Sequence, residues 1–223
     1  DSARSIGPFH GDDAHPEKSG LFLHLNTNKR SVTLDLTRRE GREIALRLAE
    51  KTDIVVENFV PGVMAELGLD YALLSELNPR LILTSISNFG QTGPYRELRA
   101  SEITSYAMGG PMNVNGHPDR EPLKLGGNVA NYHAGSVGAY STMLALYTAE
   151  EDGQGQHVDV SIYETQAGFR DRRVIFLTAH AYTGEIMERS EPGTRLGAGT
   201  RPCADGYVNI NAVGDRFRDM CRM

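Results

Sequence analysis

Tryptophan is missing from the sequence, and cysteine occurs only twice, at Cys203 and Cys221. Two thiols are too few for a disulfide framework, so a reducing cytoplasm is the expected compartment. No apolar run approaches the length of about 18 residues that reads as a membrane-crossing helix, so no membrane partner is expected. The histidines at 10, 15, 24, 117, 133, 157 and 180 never stand at ligand spacing from a second donor, so no metal site is expected either. There is no Walker loop and no G-x-G-x-x-G turn after a strand, which argues against nucleotide binding of those two kinds. Basic excess is lacking too. A formal charge of −6 argues against a general nucleic-acid partner.

What remains is an ordinary globular composition, 39% hydrophobic and 23% charged over 223 residues, enough for one large domain or one and a half. Both ends read as cut, so part of a longer protein is expected. Residues 1–20 read as a surface loop. "LFLHLN" (21–26) and "SVTLDL" (31–36) alternate like short strands. Thr37 and Glu40 have capping-box spacing ahead of the helical pattern "REIALRLAEK". "DIVVENF" (53–59) suits a strand buried on both faces, and "RLILTSI" (80–86) a second. Between them lie two short helical patterns, "GVMAELG" and "DYALLSEL", the latter opened by Asp70.

Strand, helix, strand, helix, strand predicts an α/β fold, Rossmann-like, with a mostly parallel sheet. The polar loop 88–100 then leaves a strand's carboxyl end, where such folds place ligands. A short helix is expected over 102–108 after Ser101, and a longer one through "STMLALYTAEE". "HVDVSIYE" reads as a strand passing into a helix of 165–180, and "RPCADGYVNINA" as a hairpin around Asp205-Gly206.

The chemistry concentrates in a few places. "GGNVANYHAGSVGAY" (126–140) delivers Asn131 and His133 onto a helix start from a glycine loop. Its "AGSVG" resembles a nucleophile elbow, but no hydrophobic strand precedes Ser136, so the small residues read as close helix packing. Lys29 and Arg30 form a solvated turn or a phosphate clamp. Glu57 and Asn58 emerge at the ligand edge of the sheet.

"LNTNKRSVTLDL", "DIVVENFVPGV", "LNPRLILTSISNFGQTGPY" and "GQGQHVDVSIYE" together resemble the family III CoA-transferases, in order over nearly the whole chain. The family includes formyl-CoA transferase, carnitine CoA-transferase and α-methylacyl-CoA racemase. The resemblance implies an intertwined dimer and a CoA-binding large domain over 1–185, here without its first strand and helix. Residues 186–223 would be a linker and the start of a smaller α+β domain. It implies CoA thioester and carboxylic acid as substrates. Lys29, Arg30, Asn58, Phe59 and Arg99 would be contacts to CoA.

Family chemistry uses an aspartate at the start of a helix. Its carboxylate attacks an acyl-CoA thioester to give a mixed anhydride and CoA thiolate, helped by backbone N–H donors near the helix terminus. Thiolate re-attack makes an enzyme–CoA thioester, which passes CoA to the acceptor acid. Against the family pattern, "NVANYHAG" puts Asn131 in the aspartate's place, with Glu102 matching a glutamate beside it. A carboxamide is a poor nucleophile. Ser101 and Asn131 also replace the racemases' two bases, which disfavours racemisation. Glu66 replaces a common arginine, and the glycines of 193–199 match the family's Gly-rich loop loosely. The leading expectation is a nucleophile-deficient subunit or domain paired with a competent one, as a homodimer or heteromer. Alternatives are a transferase substituted at residue 131 and a non-catalytic CoA-binding module. Tyr106, Met108, Met112 and Tyr132 are candidates for the acyl pocket or the core.

Overall fold

The computed structural model describes residues 2–168, 173–186, 189, 198–212, 216, 218, 221 and 222. A parallel sheet in the order β1-β2-β3 is built from β1 (Ile54–Glu57), β2 (Ile82–Ser87) and β3 (His157–Ser161). The register runs Ile54↔Ile82 to Glu57↔Ser85 on one side of β2 and Leu83↔His157 to Ser87↔Ser161 on the other. The helices are α1 (Gly20–Leu25), α2 (Arg39–Ala49), α3 (Val63–Glu66), α4 (Tyr71–Leu77), α5 (Glu102–Met108), α6 (Val129–Asp152), α7 (Ile162–Ala167) and α8 (Arg173–Thr183). β4 (Ala198–Cys203) and β5 (Gly206–Asn211) pair antiparallel as a separate two-stranded sheet. This is the expected α/β fold.

The period-two alternation of β2 divides the core. Leu81 and Leu83 pack with Ala49 of α2 and Leu74 of α4, while Ile82 packs with Ala145 and Ala149 of α6 on the other face. Thr84 follows Ile82 onto the α6 face and shares a 2.6 Å hydrogen bond with Thr142. α6 reaches the sheet closely because its buried positions are Ala134, Gly138, Thr142, Ala145 and Ala149. The "AGSVG" segment is therefore helix packing, as its composition suggested.

Four local expectations are corrected. "LFLHLN" is α1, not a strand. Ser19 caps it by accepting from the Phe22 N–H at 3.1 Å, and in six residues alternation and a helical stripe are hard to separate. "SVTLDL" forms no regular element, and Val32 is 68% exposed. The Thr37–Glu40 box does not form, because Thr37 instead gives both its N–H and its hydroxyl to Asp35 Oδ1. β1 is an edge strand among the described residues, with Val56 61% exposed, so it is not buried on both faces.

Most other elements fall close to expectation, but the helix read over 165–180 is two, α7 ending at Ala167 and α8 starting at Arg173. Asp70 caps α4 through the Leu73 N–H at 3.0 Å. The β4–β5 turn is Ala204-Asp205, one residue earlier than read, because Cys203 pairs with Gly206. Residues 193–197 of the glycine-bearing loop lie outside the described residues. Among the described residues, no helix is long and apolar enough to cross a membrane.

Candidate active site

Two helix starts meet at residue 131. α5 opens with Glu102 and packs beside α6 through Tyr106 and Ala130, both buried, with Met112, Leu125 and Val129 around them. The packing brings the Glu102 carboxylate to the first turn of α6, where it accepts from Ala130 N at 2.7 Å and Asn131 N at 3.1 Å. The α6 N-cap residue, Asn128, makes no side-chain capping bond. Glu102 thus caps α6 from a neighbouring helix, placing a negative charge at the positive end of a 24-residue helix.

The Ala130 and Asn131 N–H groups are occupied by Glu102, so neither is a spare donor for a developing oxyanion. Asn131 itself is exposed on the outer side of the first turn, with its carboxamide one residue beyond the buried Ala130.

Lys124 completes the cluster. Its ammonium stands 3.9 Å from Glu102 Oε1, donates to Leu125 O at 2.6 Å and reaches Gly127 O as well. Both side chains are largely shielded, at 23% exposure for Lys124 and 14% for Glu102. One cation therefore ties the glycine loop to the carboxylate that caps the helix. Beneath, Gln166 of α7 is fully buried and its amide donates towards Ala130 O at 3.4 Å and to Thr165 Oγ1 at 2.9 Å. Gly109 permits that approach, since a Cβ there would stand 2.1 Å from Gln166 Cβ. His133 is half-buried one turn into α6, and burial holds its imidazole below the ordinary histidine range.

Sequence reading missed Lys124 and Gln166. The available signals were a lysine between apolar residues ahead of Gly126-Gly127, and a lone amide in the α7 pattern; neither specifies its partner. Of the expected site residues, Glu102 and Asn131 are brought into contact. Asn58 and Phe59 are exposed after β1, where Glu57 Oε2 accepts from Phe59 N at 2.7 Å. Arg99 is exposed three residues before Glu102. Lys29 and Arg30 are exposed between α1 and α2, not between strands, and Lys29 Nζ lies 3.2 Å from Asn26 Oδ1. Tyr106 and Met112 belong to the core cluster, while Met108 and Tyr132 are exposed.

Fold and site define an α/β protein that presents one polar side chain from a helix start capped by a carboxylate from another helix. The chain belongs to CoA-transferase family III, whose family model matches residues 1–223. It is 34% identical to the succinate–glutarate CoA-transferase of Agrobacterium fabrum, covering 100% of this chain and 56% of that protein. It is also 34% identical to a subunit of the succinyl-CoA:(R)-benzylsuccinate CoA-transferase of Thauera aromatica, covering 99% and 53%. The crystal structure of a CAIB/BAIF family protein from Brucella suis superposes with a TM-score of 0.83 at 32% identity, covering 95% of this chain and 56% of that one. The chain spans about half the length of these relatives.

Proposed function

We propose that this chain is part of an acyl-CoA:carboxylate CoA-transferase and occupies the nucleophile position with Asn131, so that catalysis falls to a paired homologous chain or domain. The observation that carries the reading is the intact cluster around an altered residue. Glu102 and Lys124 hold the helix start at the position where the family resemblance puts the nucleophile, yet residue 131 offers a carboxamide. In the family chemistry a carboxylate oxygen bonds to the thioester carbonyl carbon and the C–S bond breaks, releasing thiolate. An uncharged amide does not supply that electron pair readily.

In this reading residues 1–185 hold CoA, with Lys29, Arg30, Asn58, Phe59 and Arg99 as exposed contacts, and 186–223 begin a second unit. The separate β4–β5 sheet supports that division. The assembly is a homodimer or a heteromer with a homologous subunit, and the Thauera relative's name, which calls it a subunit, supports the second form. The compartment is the cytoplasm.

Trapping during turnover tests the assignment. The full-length protein, with its candidate partner, is given acyl-CoA and then isotope-labelled hydroxylamine or tritiated borohydride, which converts an enzyme–CoA thioester into a labelled hydroxamate or alcohol on the side chain that carried it. Label on the partner's aspartate is expected; label on residue 131 overturns the reading.

A second reading draws on the same intact cluster. In it residue 131 is the one altered position, so Asn131→Asp alone would restore a homodimeric enzyme. Full activity of the homodimer only after that change would favour it over pairing.

A further inference from the structure

Arg189 lies in sequence between α8 and β4, yet its guanidinium reaches back to a single loop ahead of α6. It donates to three backbone carbonyls there: Nε to His117 O at 3.1 Å, Nη1 to Asn113 O at 3.2 Å and Nη2 to Arg120 O at 3.3 Å. These partners are 69 to 76 positions away in sequence. A guanidinium presents its donors in a fixed planar fork and stays protonated, so one side chain can hold three acceptors in a set arrangement.

The loop has little else to hold it. No residue from 113 to 123 is buried, so apolar packing does not fix this segment. Its ends are tied to each other, since Leu123 N donates to Asn115 O at 2.9 Å and Asn115 Nδ2 donates to Leu123 O at 2.7 Å. Inside the loop, His117 O accepts a second time, from Arg120 N at 3.3 Å. Outside the tie, Met112 and Leu125 pack against the buried Tyr106 and Ala130.

This loop leads straight to the helix start at residue 131. Lys124 follows the tied Leu123, and its ammonium stands 3.9 Å from Glu102, which holds the N–H groups of Ala130 and Asn131. Each step from Arg189 to Asn131 is therefore a hydrogen bond, an ion pair or a short run of chain, the kind of contiguous path that can carry coupling. The path also crosses the division proposed above, because Arg189 falls after residue 185 while Glu102, Lys124 and Asn131 fall before it.

We propose that Arg189 is a positioning residue for the helix start at residue 131. By fixing the loop 113–123 it places Lys124 against Glu102, and so couples the segment beyond α8 to the carboxylate that caps α6. The coupling concerns where residue 131 is held and does not rest on whether this chain transfers CoA.

The test uses the full-length protein carrying isotope-labelled alanine and asparagine, with amide exchange and resonances read by NMR. In Arg189→Gln, exchange at the Ala130 and Asn131 amides is expected to quicken about ten-fold, as loss of hydrogen bonds to one charged group does. The two amide protons, held downfield by a carboxylate acceptor, should move upfield together. Ala145 and Ala149, in the same helix but packed on the sheet, should keep their rates. Equal quickening at Ala145 and Ala149 would make Arg189 a general support of the fold and overturn the proposal. Unchanged exchange at Ala130 and Asn131 would confine the clamp to its own loop and overturn it too. A double variant separates the route: if Arg189 acts through Lys124, Arg189→Gln adds nothing at these two amides to the effect of Lys124→Ala, whereas fully additive effects reject that path.

Discussion

Glu102 Oε2 accepts a hydrogen bond from the backbone N–H of Asn131 at 3.1 Å, and its other oxygen takes the N–H of Ala130 at 2.7 Å. Twenty-nine positions apart in sequence, the two residues make one helix cap. Removing the carboxylate strands two donors at the start of α6. Glu102→Ala is expected to lower stability by about 1–3 kcal/mol, the range for hydrogen bonds to a charged group and for lost caps. Glu102→Gln keeps one acceptor oxygen and should lose less. Urea unfolding of both variants checks the order, and equal losses would show that the cap bonds contribute little.

Residue 131 yields a second prediction, about rate. In the full-length protein without a competent partner, Asn131→Asp separates the two readings: pairing predicts little gain in CoA transfer, and a substituted enzyme a gain of several orders of magnitude, about the cost of losing a covalent nucleophile in reverse. An added carboxylate in the first turn also suits the helix dipole, so stability should change little. Single-turnover transfer from labelled acyl-CoA measures the first effect and thermal unfolding the second. No gain in rate would mean that the site lacks more than the carboxylate.

His133 sets a pH dependence. Burial favours its neutral form, so its folded pKa lies below the ordinary value of about 6.5. The unfolded chain therefore binds more protons between the folded value and about 6.5, and stability rises with pH across that window. The contribution is fully present above about pH 6.5 and is lost as pH falls through the folded pKa. His133→Gln should flatten this part of the stability profile below about pH 6.5. A slope that survives the substitution would assign it to another group.

Much of this fold could be read in the sequence. The apolar run through Leu81, Ile82 and Leu83 forecast a buried strand, and Asp70 forecast a helix cap, because in each case the cause is local. α1 was misread since Leu21 to Leu25 suits either period, and its helix depends on Ser19, whose hydroxyl is itself held by the carbonyls of Ala3 and Ile6. The site was legible in part. Family resemblance brought Glu102 and Asn131 to notice, but no local pattern could show Glu102 taking the N–H groups of Ala130 and Asn131. Lys124 and Gln166 act through backbone carbonyls and have no sequence signature of their own.

Close approach through glycine separates two kinds of substitution. A Cβ on Gly155 would sit 1.9 Å from the backbone oxygen of Leu81, at the entry to β2. On Gly138 it would sit 3.0 Å from Ile86 Cδ1, the tip of a flexible side chain. Gly155→Ala should therefore cost at least the 1–3 kcal/mol that is roughly typical of overpacking, and Gly138→Ala clearly less. In α6 the second change also gains helix propensity of about 1 kcal/mol. Paired denaturation curves decide it, and the reverse order would mean that β2 shifts more easily than Ile86 turns.

Lys124 connects the glycine loop to the cap, and its removal separates two effects. Lys124→Ala leaves the carbonyls of Leu125 and Gly127 without their cation and leaves Glu102, 14% exposed, without its near countercharge. Lys124→Arg keeps the charge, but its planar guanidinium presents donors in a different geometry from an ammonium. If countercharge dominates, arginine should retain most of the stability and alanine should lose about 1–3 kcal/mol, as when one partner of a shielded charged pair is deleted. If the carbonyl bonds dominate, both variants should loosen the 125–128 segment. Hydrogen exchange at the Ala130 and Asn131 amides distinguishes these cases, because those amides are protected only while Glu102 remains on the helix start. Rapid exchange in the alanine variant with protection retained in the arginine variant is the expected result. Protection unchanged in both would show that Glu102 holds α6 without help from Lys124.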